Sequence, residues 1–500
     1  MKFLGWMYDI AREQSPRLDV LTEMLQRSRA AGYNAVGLYL EHRFAYASAP
    51  WAAGPGCLTP ELLRRVRAKL GGGLRLVPFL NTLGHMEGFM RAEGGQWLSE
   101  GPTDGWGAQM CATRPECTAF VRGLIEDTLA AFDDEWVHLG GDETRQLGQC
   151  KQCAARVKAV GAGGLYAEHF GPLCQMVLDR GRRPCLWGDM LLQHPEALPA
   201  IPRATVIFDW QYTQRPAEST ALFRRHGFDV VCCPALQTYF AGWCFLRESQ
   251  ANVDEHAADA RAAGALGVLV TTWIATHFSS YDTVLPLIYA AGQRLTAGMD
   301  WSVALAAEGG PGYARAAELL GNRIPGISVL LKPGSGRQFR DAFVFRANPF
   351  YLWQAWRDEA CGHPGDEILR LCDEADAALP PGDPLHFVAE LHRAAVLWVR
   401  LAENAYRAYA EGRIADAAAA LDDGPALLGR LRPGLARAAE RGGSAADLCR
   451  LERLVERVQR VSVDLRALPA DSACRPAFET LTHAAYIPGD QAAWRTAVRT

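Results

Sequence analysis

The sequence predicts an α/β protein, with a (β/α)8 TIM barrel followed by an α-helical C-terminal domain. Within residues 1–300, eight short apolar runs of strand length alternate with amphipathic segments of helical period. Such alternation is typical of a parallel sheet covered by helices, and eight units in about 300 residues fit a closed barrel. Beyond residue 300 the composition shifts toward Ala, Arg, Leu and Glu, and the helical periods lengthen.

The eight predicted strands are mostly apolar and end in polar or aromatic residues. They are Lys2–Tyr8, Ala35–Leu40, Leu74–Leu80, Trp136–Gly140, Pro184–Trp187, Thr205–Asp209, Asp229–Cys233 and Gly267–Thr272. The helices predicted between and after them are Arg17–Ala31, Pro60–Leu70, Pro115–Phe132, Gln146–Val160, Tyr166–Arg180, Ala217–His226, Gln250–Ala263 and Asp282–Ala297. An open doubly wound sheet is the alternative, but no GxGxxG or GxxxxGKS motif follows any of these strands.

The chain divides by composition into three predicted parts. Residues 1–300 form the barrel, residues 301–340 a connector with a short helix at Tyr313–Leu320, and residues 341–500 a helical domain. The long helical periods of the last part are Gly365–Leu379, Pro384–Glu411, Ile414–Leu431 and Ala445–Leu468. We expect this domain to pack on the barrel or on a second subunit, so that a homodimer could form through it.

Composition and charge exclude several classes of protein. The chain is 49% hydrophobic and 22% charged, the profile of a soluble globular protein, with a net charge of −4. It has no basic block, which argues against nucleic acid or an anionic membrane as a partner. No apolar stretch approaches the ~20 residues of a membrane span. The first apolar run is too short for a signal peptide and meets Asp9 early, so we expect a cytoplasmic protein.

The 14 cysteines are scattered, unlike those of a small disulfide-rich scaffold. Several lie within apolar segments, where cysteine acts as a small hydrophobic residue. These are Cys174, Cys185, Cys232 and Cys233. The pair Cys150-Lys-Gln-Cys153 can be half of a zinc site, but a second pair is missing and only Cys111 and Cys117 are nearby. Free thiols are therefore favoured, and no metal or cofactor is predicted.

The chain is organised around Trp136–Thr144, where an apolar strand breaks at Gly140-Gly141 and delivers Asp142 and Glu143 into a loop. Glycine tolerates a positive φ, which allows a sharp turn and a close approach to a ligand. Two adjacent carboxylates repel each other, so an apolar pocket would raise one pKa, as a general acid requires. The alternative is a strand-end turn followed by an acidic helix cap.

Polar and aromatic side chains follow several of the other predicted strands. Since catalytic residues of a barrel lie at the carboxyl ends of its strands, we expect these side chains to converge on one rim. Together they indicate a carbohydrate site, with tryptophan faces for sugar rings and carboxylates for hydroxyls. The candidates are Glu41, His85, Glu87, Asp142, Glu143, Trp187, Asp189, Trp210, Tyr212, Tyr239 and Trp273.

The motif His138-Leu-Gly-Gly-Asp142-Glu143 resembles the H-x-G-G-D-E signature of glycoside hydrolase family 20, the β-N-acetylhexosaminidases. The stretch Thr82–Glu87 is similar to the hexosaminidase D branch in particular. Tyr39-Leu40-Glu41, Leu186–Met190 and Leu147–Cys150 support the same resemblance, which covers about residues 1–300.

This resemblance implies an exo-acting, retaining hydrolase of terminal β-linked GlcNAc or GalNAc that needs no protein nucleophile. The family is a substrate-assisted exception to the two-carboxylate scheme, since the sugar's 2-acetamido oxygen attacks and forms an oxazolinium ion. By position, Glu143 would be the acid and base, and Asp142 would orient the acetamido group. Tyr239 would donate to the acetamido oxygen, with Tyr212 as its rival. His85, together with Glu41, would form a relay to Glu143.

The remaining substrate contacts implied by the resemblance are aromatic. Trp187, Trp210 and Trp273 would wall the pocket around the acetamido methyl and the ring.

The sequence departs from the family pattern at two places. Leu4-Gly5 stands where the family has an arginine before the glycine, and Ala275 stands where a hydroxyl-binding glutamate often follows Trp273. Two alternatives remain open. One is a barrel glycosidase that pairs Glu143 with Glu41 or Glu87, and the other is a non-catalytic carbohydrate-binding barrel.

Overall fold

The computed structural model describes residues 1–101, 108–239, 241–274, 278–327, 348–469 and 475–484. Eight parallel strands close into a barrel in sequence order, and the first strand pairs with the eighth. The strands are β1 (Phe3–Asp9), β2 (Ala35–Tyr39), β3 (Arg75–Phe79), β4 (Trp136–His138), β5 (Arg183–Trp187), β6 (Val206–Trp210), β7 (Asp229–Cys233) and β8 (Gly267–Val270). The predicted fold class is therefore confirmed.

The helices of the barrel follow the strands in alternation. They are Leu18–Ala30, Pro60–Leu70, Glu87–Arg91, Pro115–Ala131, Lys151–Asp179, Asp189–Gln193, Ala217–Arg225, Leu246–Ala262 and Leu285–Ala297. Short 3-10 turns lie at Gln96–Leu98, Pro195–Ala200 and Tyr281–Thr283. Pro60–Leu70 begins and ends as its sequence predicts, because Thr59 caps it with a side-chain hydrogen bond and Gly71 ends it in the left-handed region.

Two predicted helical segments are parts of longer elements in the structure. The helices predicted at Gln146–Val160 and Tyr166–Arg180 form one kinked element, whose non-helical residue is Gly161, with φ 78°. The predicted short helix Tyr313–Leu320 is part of a longer one, Trp301–Glu318, which also bends at a glycine. The sequence pattern did not predict the full length of these helices, because glycine and proline inside them interrupt the apolar periodicity.

The barrel interior is a packed apolar core beneath the site. Phe3, Phe79, Trp136 and Phe208 contact one another through stacked or edge-to-face rings. His138 lies among them fully buried, with its imidazole stacked on Phe79 at a centroid distance of 4.4 Å. Burial lowers the pKa of His138 well below its ordinary value, so this histidine is a neutral core residue.

After residue 300 every described element is helical. Beyond Trp301–Glu318 come a π-helical turn at Leu319–Arg323 and helices Ile324–Ile327, Pro349–Ala360, His363–Ala378, Leu385–Ala410, Ile414–Asp422, Gly424–Gly429, Arg432–Glu440, Ala446–Arg466 and Phe478–Ala484. The predicted span Ile414–Leu431 is thus broken into separate helices. The division of domains at residues 300 and 340 stays a prediction. No helix of the described part is long and apolar enough to cross a membrane.

A buried ionic cluster joins the C-terminal helices to the barrel rim. Arg450 contacts Glu13, which follows β1, at 2.6 Å, and Asp447 at 2.7 Å. Asp447 also accepts a hydrogen bond from the amide of Phe278, which follows β8, at 2.8 Å. Glu13 and Phe278 both have a positive φ, of 59° and 52°. The C-terminal helices therefore hold two rim loops in conformations that are unfavourable for residues with a side chain.

Candidate functional site

The site is centred on His85, whose imidazole contacts three carboxylates. Its Nε2 atom lies 3.3 Å from Glu143 Oε2 and 3.5 Å from Asp142 Oδ2. On the opposite side of the ring, Nδ1 lies 3.5 Å from Glu87 Oε1. Asp142 and Glu143 follow β4, and His85 and Glu87 follow β3, so the closed sheet brings the two loops together at the carboxyl ends of adjacent strands.

The backbone turns sharply where these side chains enter the site. Gly140 and Gly141 have φ values of 79° and 95°, as the sequence motif predicts. Glu41, His85 and Glu143, which follow β2, β3 and β4, also have positive φ values, of 42°, 51° and 47°. Such conformations cost free energy and concentrate at functional sites. The turn after β4 thus aims two neighbouring carboxylates, Asp142 and Glu143, at one imidazole.

The loops after β3 and β4 also touch through their backbones. A Cβ atom added at Gly84 would collide with the carbonyl oxygen of Asp142. The glycine before His85 is therefore required by this close approach rather than by its own φ. Any larger residue at position 84 would push the two loops apart and separate His85 from its carboxylates.

Burial and nearby charges shift the pKa values of these groups in different directions. Burial alone would lower the pKa of His85, but the nearby charge of Asp142 and the close contacts with Glu143 and Glu87 raise it well above its ordinary value. Burial raises the pKa of Asp142, against the opposing charge of His85. Although burial would raise the pKa of Glu143, contacts with His85 and the charge of Arg145 lower it. Of the two adjacent carboxylates, Asp142 therefore has the raised pKa and Glu143 the lowered one, and the cationic form of His85 is favoured.

Asp189, which follows β5, supports the turn that carries the carboxylates. Its Oδ2 atom accepts a hydrogen bond from the backbone amide of Glu143 at 2.9 Å. Burial, together with the charge of Asp142, raises the pKa of Asp189 to about 7. Asp189 is therefore placed to fix the Glu143 backbone, and its other oxygen, Oδ1, has no hydrogen-bond partner among the described residues.

Glu143 has one further partner that the sequence analysis missed. The guanidinium Nη2 of Arg145 donates to Glu143 Oε1 at 2.5 Å. The Arg145 side chain is 76% exposed and that of Glu143 30% exposed, so this pair lies at the solvent side of the site. A residue two positions after the carboxylate could have been considered from sequence, but its direction depends on the turn.

Glu41 does not contact the imidazole of His85 in the described contacts. Its Oε1 atom accepts a hydrogen bond from the amide of Gly88 at 2.6 Å, and Oε2 lies 3.6 Å from His42. The carboxylate behind His85 is Glu87 instead. Burial would raise the pKa of Glu87, but its close contact with His85 lowers it to about 2. The carboxylate that contacts His85 is thus Glu87 and not Glu41, which is held by the β3 loop backbone.

The predicted aromatic residues form one continuous group. Trp187 and Trp273 have ring centroids 6.1 Å apart, and Trp210 and Tyr212 5.0 Å apart. Tyr212 lies 6.0 Å from Tyr239 by ring centroids. Trp273 Nε1 donates to Tyr212 Oη at 2.6 Å, which joins the two halves of the group. Trp187 is fully buried and forms the floor, whereas the other four are partly exposed.

Further residues contact this aromatic group, which forms one wall of the site, around Trp273. The Arg12 guanidinium lies over the rings of Trp273 and Tyr39, 5.1 Å and 5.3 Å from their centroids. Tyr39 Oη accepts a hydrogen bond from Asn81 Nδ2 at 2.7 Å. Tyr39 and Arg12 belong to sequence motifs, but only barrel closure brings β1, β2 and β8 beside one another. Ala275 lies outside the described residues.

Residues 85–271 match the family model described as glycosyl hydrolase family 20, catalytic domain. The matched range contains His85, Asp142, Glu143 and Asp189. A β-N-acetylhexosaminidase of Cellulomonas fimi is 27% identical over 203 residues, which are 39% of this chain. The chain spans 37% of the length of that relative.

Solved structures resemble the chain in fold. The Flavobacterium johnsoniae chitobiase superposes with a TM-score of 0.51 at 15% identity, over 99% of this chain and 77% of that one. A β-N-acetylhexosaminidase from Bacteroides fragilis gives a TM-score of 0.48 at 17% identity, over 58% of this chain and 66% of the other. Over residues 85–271, the chain is therefore similar to the catalytic domain of glycosyl hydrolase family 20.

Proposed function

We propose that this protein is an exo-acting, retaining β-N-acetylhexosaminidase that removes terminal β-linked GlcNAc or GalNAc by substrate-assisted catalysis. The observation that carries the proposal is the convergence of Asp142 and Glu143 on one side of the His85 imidazole. The family match and the name of the Cellulomonas fimi relative support the same activity.

The first chemical step needs an acid and an oriented acetamido group. The acetamido oxygen attacks the anomeric carbon, the glycosidic C–O bond breaks, and the leaving oxygen takes a proton from Glu143. Glu143 is the more exposed of the two carboxylates, so it is the one that a leaving group on the solvent side can reach. The second step reverses its role, since Glu143 takes a proton from the water that opens the oxazolinium ring.

Asp142 is suited to hold the acetamido nitrogen. Its carboxylate is buried, and its Oδ1 atom has no hydrogen-bond partner within the described part of the chain. An amide N–H of the substrate would satisfy this acceptor, and positive charge that develops on that nitrogen would be stabilised by an ionised neighbour. Burial raises the pKa of Asp142, and a hydrogen bond from the substrate amide would favour the ionised form again.

His85 would supply the proton that Glu143 needs, and Glu87 would balance the charge of the imidazole. Contacts with His85 and the charge of Arg145 lower the pKa of Glu143 and favour its ionised form. For Glu143 to act as an acid, a proton must reach it; the guanidinium of Arg145 does not release its protons, so the donor would be the imidazole Nε2 of His85 at 3.3 Å. Glu87, with its low pKa, would stay ionised beside Nδ1 of the imidazole and balance its positive charge before this transfer.

The aromatic wall would bind the sugar. Trp187, Trp210 and Trp273 offer faces to the acetamido methyl and the ring. Tyr239 and Tyr212 belong to the same aromatic group, and either would donate to the acetamido oxygen. The oxygen of Tyr212 accepts from Trp273 Nε1, whereas Thr271 Oγ1, 3.3 Å away, gives its one hydrogen to the carbonyl of Pro234 and can itself accept from Tyr212. Arg12 is a candidate for the hydroxyls that the arginine replaced by Leu4 would have bound.

The geometry argues against a glycosidase that pairs Glu143 with Glu41 or Glu87. That mechanism needs a sugar between two carboxyl groups about 5–9 Å apart. The His85 ring occupies the space between Glu87 and Glu143. Glu41 is buried and bonded to the Gly88 amide. Neither carboxylate is free to face the opposite side of a sugar bound at Glu143.

The deciding experiment compares substrates and a mechanism-specific inhibitor. The protein should cleave aryl β-GlcNAc or β-GalNAc and should be inhibited by a thiazoline analogue of the oxazolinium ion. Aryl β-glucoside and β-galactoside, which lack the acetamido group, should be poor substrates. Comparable cleavage of both sugar types without thiazoline inhibition would favour the two-carboxylate enzyme. No cleavage of any of these sugars, with binding retained, would favour a non-catalytic barrel.

Two further expectations stay predictions. A homodimer through the C-terminal helices would be detected by light scattering coupled to gel filtration. A cytoplasmic location would be tested by cell fractionation.

A further inference from the structure

We propose that Glu100, Cys111, Cys150 and Cys153 form a structural zinc site. The site would join the loop after β3 to the segment that follows the acidic turn, Gly140–Glu143, after β4. The proposal goes beyond the hydrolase activity and does not rest on it. One ligand atom from each residue lies within 4.8 Å of all the others. Three of the four residues are buried, and Cys150 is half-buried.

The sulfur separations fit a tetrahedral ion. Cys111 Sγ lies 3.7 Å from Cys150 Sγ and 3.6 Å from Cys153 Sγ. A zinc ion with bonds of about 2.3 Å to each sulfur, at tetrahedral angles, separates its sulfurs by about 3.8 Å. These separations exceed an S–S bond of about 2.05 Å, so the cysteines are not disulfide-bonded.

Glu100 supplies the fourth ligand and is otherwise hard to explain. Its carboxylate is 5% exposed, and it accepts hydrogen bonds from the amide of Cys150 at 3.1 Å and from the thiol of Cys153 at 3.0 Å. Burying a carboxylate against thiols is costly unless a cation compensates. Zinc would replace the thiol proton between Cys153 and Glu100 and would join both groups.

The surroundings suit thiolates. Cys150 caps the helix Lys151–Asp179, and its Sγ accepts a hydrogen bond from the amide of Cys153 at 3.4 Å. A helix N-terminus stabilises negative charge. Thr113 Oγ1 lies 3.2 Å from Cys153 Sγ and 3.5 Å from Cys111 Sγ, where it can donate to either sulfur. Four protein ligands leave no open position, so this site is structural rather than catalytic.

Sequence spacing alone favoured free thiols because it supplied only one CxxC pair. The structure selects Cys111 from the two nearby candidates and adds the carboxylate of Glu100, which no cysteine pattern reveals. Cys117, the other nearby cysteine, does not join them, since its Sγ contacts the carbonyl of Leu98 at 3.8 Å.

Zinc at this site would stabilise the turn that carries Asp142 and Glu143. Gln109 and Gln146 already join the same two segments, because the side-chain oxygen of each accepts from the backbone amide of the other at 3.0 Å. Gln146 lies between Glu143 and Cys150 in the chain. Zinc at the end of this segment would fix the chain that leaves the acidic turn.

The test is the metal content of the full-length protein purified without chelators from zinc-supplemented cultures. We expect about one zinc per chain by inductively coupled plasma mass spectrometry. Cys111→Ser and Cys153→Ser should lose most of it, whereas the matched control Cys117→Ser should keep it. Zinc loss in Cys117→Ser equal to that in Cys111→Ser would overturn the assigned ligand set.

A second measurement needs no variant and so does not depend on how the variants fold. Wild-type protein stripped of metal and loaded with Co²⁺ should show the intense visible bands of tetrahedral cobalt with thiolate ligands, and added zinc should abolish them. Metal removal should also lower the Tm. Folded wild-type protein with less than a tenth of a metal ion per chain, free thiols and no cobalt spectrum would refute the site. Iron in place of zinc would refute the identity of the ion.

Discussion

Nε2 of His85 lies 3.3 Å from Oε2 of Glu143, although the two residues follow different strands of the barrel. This contact couples the protonation of the proposed acid to a cationic imidazole. Asp142 and Glu87 face the same ring, so the four groups titrate as a unit rather than as independent sites. The predictions on activity below follow from this coupling.

Replacing Glu143 by Gln should remove general acid catalysis while keeping the side chain's shape. We expect turnover of natural disaccharides to fall by about 10²–10⁴-fold, the usual contribution of such a group. Aryl substrates with good leaving groups should lose less in the glycosylation step, because they need little protonation. Steady-state and pre-steady-state rates on both substrates would check this. An equal loss on both, with folding intact, would argue against the acid role.

Replacing Asp142 by Asn should remove the charge that balances the oxazolinium nitrogen. The expected loss is about 10²–10³-fold in kcat/KM on 2-acetamido sugars, as for other groups that stabilise developing charge in a site shielded from water. Matched sugars with a 2-hydroxyl should be poor substrates for both proteins. An unchanged rate on the acetamido sugar would contradict the role given to Asp142.

Replacing Arg145 by Gln should change the pH profile more than the maximal rate. The charge of Arg145 helps to lower the pKa of Glu143, so its removal should raise that pKa. An acid is active while protonated, and the alkaline limb of kcat/KM, which reports the free enzyme, should therefore move to higher pH. Arg156→Gln, which breaks an exposed pair with Glu168, is the control and should leave the limb in place.

Replacing Asp189 by Asn should stabilise the protein at alkaline pH. The pKa of Asp189 is raised from 3.8 to about 7, so the folded state binds this proton more tightly and loses stability as the pH rises from about 4 to about 7. The shift of about 3 units corresponds to at most ~4 kcal/mol, and we expect a gain of roughly 1–3 kcal/mol at pH 8 after relaxation. Denaturant unfolding should show this gain vanish near pH 4. A constant difference at all pH values would contradict the assignment.

Replacing Arg450 by Met should destabilise the junction between the barrel and the C-terminal helices. It leaves the buried carboxylates of Glu13 and Asp447 without their cation, and breaking such a buried cluster typically costs about 3–5 kcal/mol. Arg370→Met, which removes a half-exposed cation, should cost at most about 1 kcal/mol. Urea unfolding of both variants compares them, and similar losses would mean that the buried cluster contributes little.

Local sequence patterns were sufficient to predict the strands and the turn that carries Asp142 and Glu143. All eight strands form within a few residues of their predicted ranges, because a parallel strand buried on both faces must be apolar throughout its length. The turn at Gly140-Gly141 was also predictable, since two positive φ values in succession call for glycine. Broken helices such as Lys151–Asp179 were predicted less well, because packing maintains them across residues that interrupt the period.

The partners within the site could not be predicted in the same way. Sequence motifs marked His85 and Glu143, but they could not show that Glu87 rather than Glu41 stands behind the imidazole. Nor could they show that Arg145 turns back onto Glu143. These contacts depend on loop directions after the strands, and a one-residue change in a turn reverses which side chain points inward.

The sequence by itself determined the barrel, its helical continuation and the chemical groups at the rim, because apolar periodicity and glycine placement act over a few neighbouring residues. The tertiary structure alone decided which charges meet. Contacts between loops of adjacent strands raise the pKa of Asp142 and lower that of Glu143, and they gather Glu100 with three cysteines from separate segments. Electrostatic interactions and metal ligation depend on distances in space, and barrel closure sets these distances between residues that lie far apart in the chain.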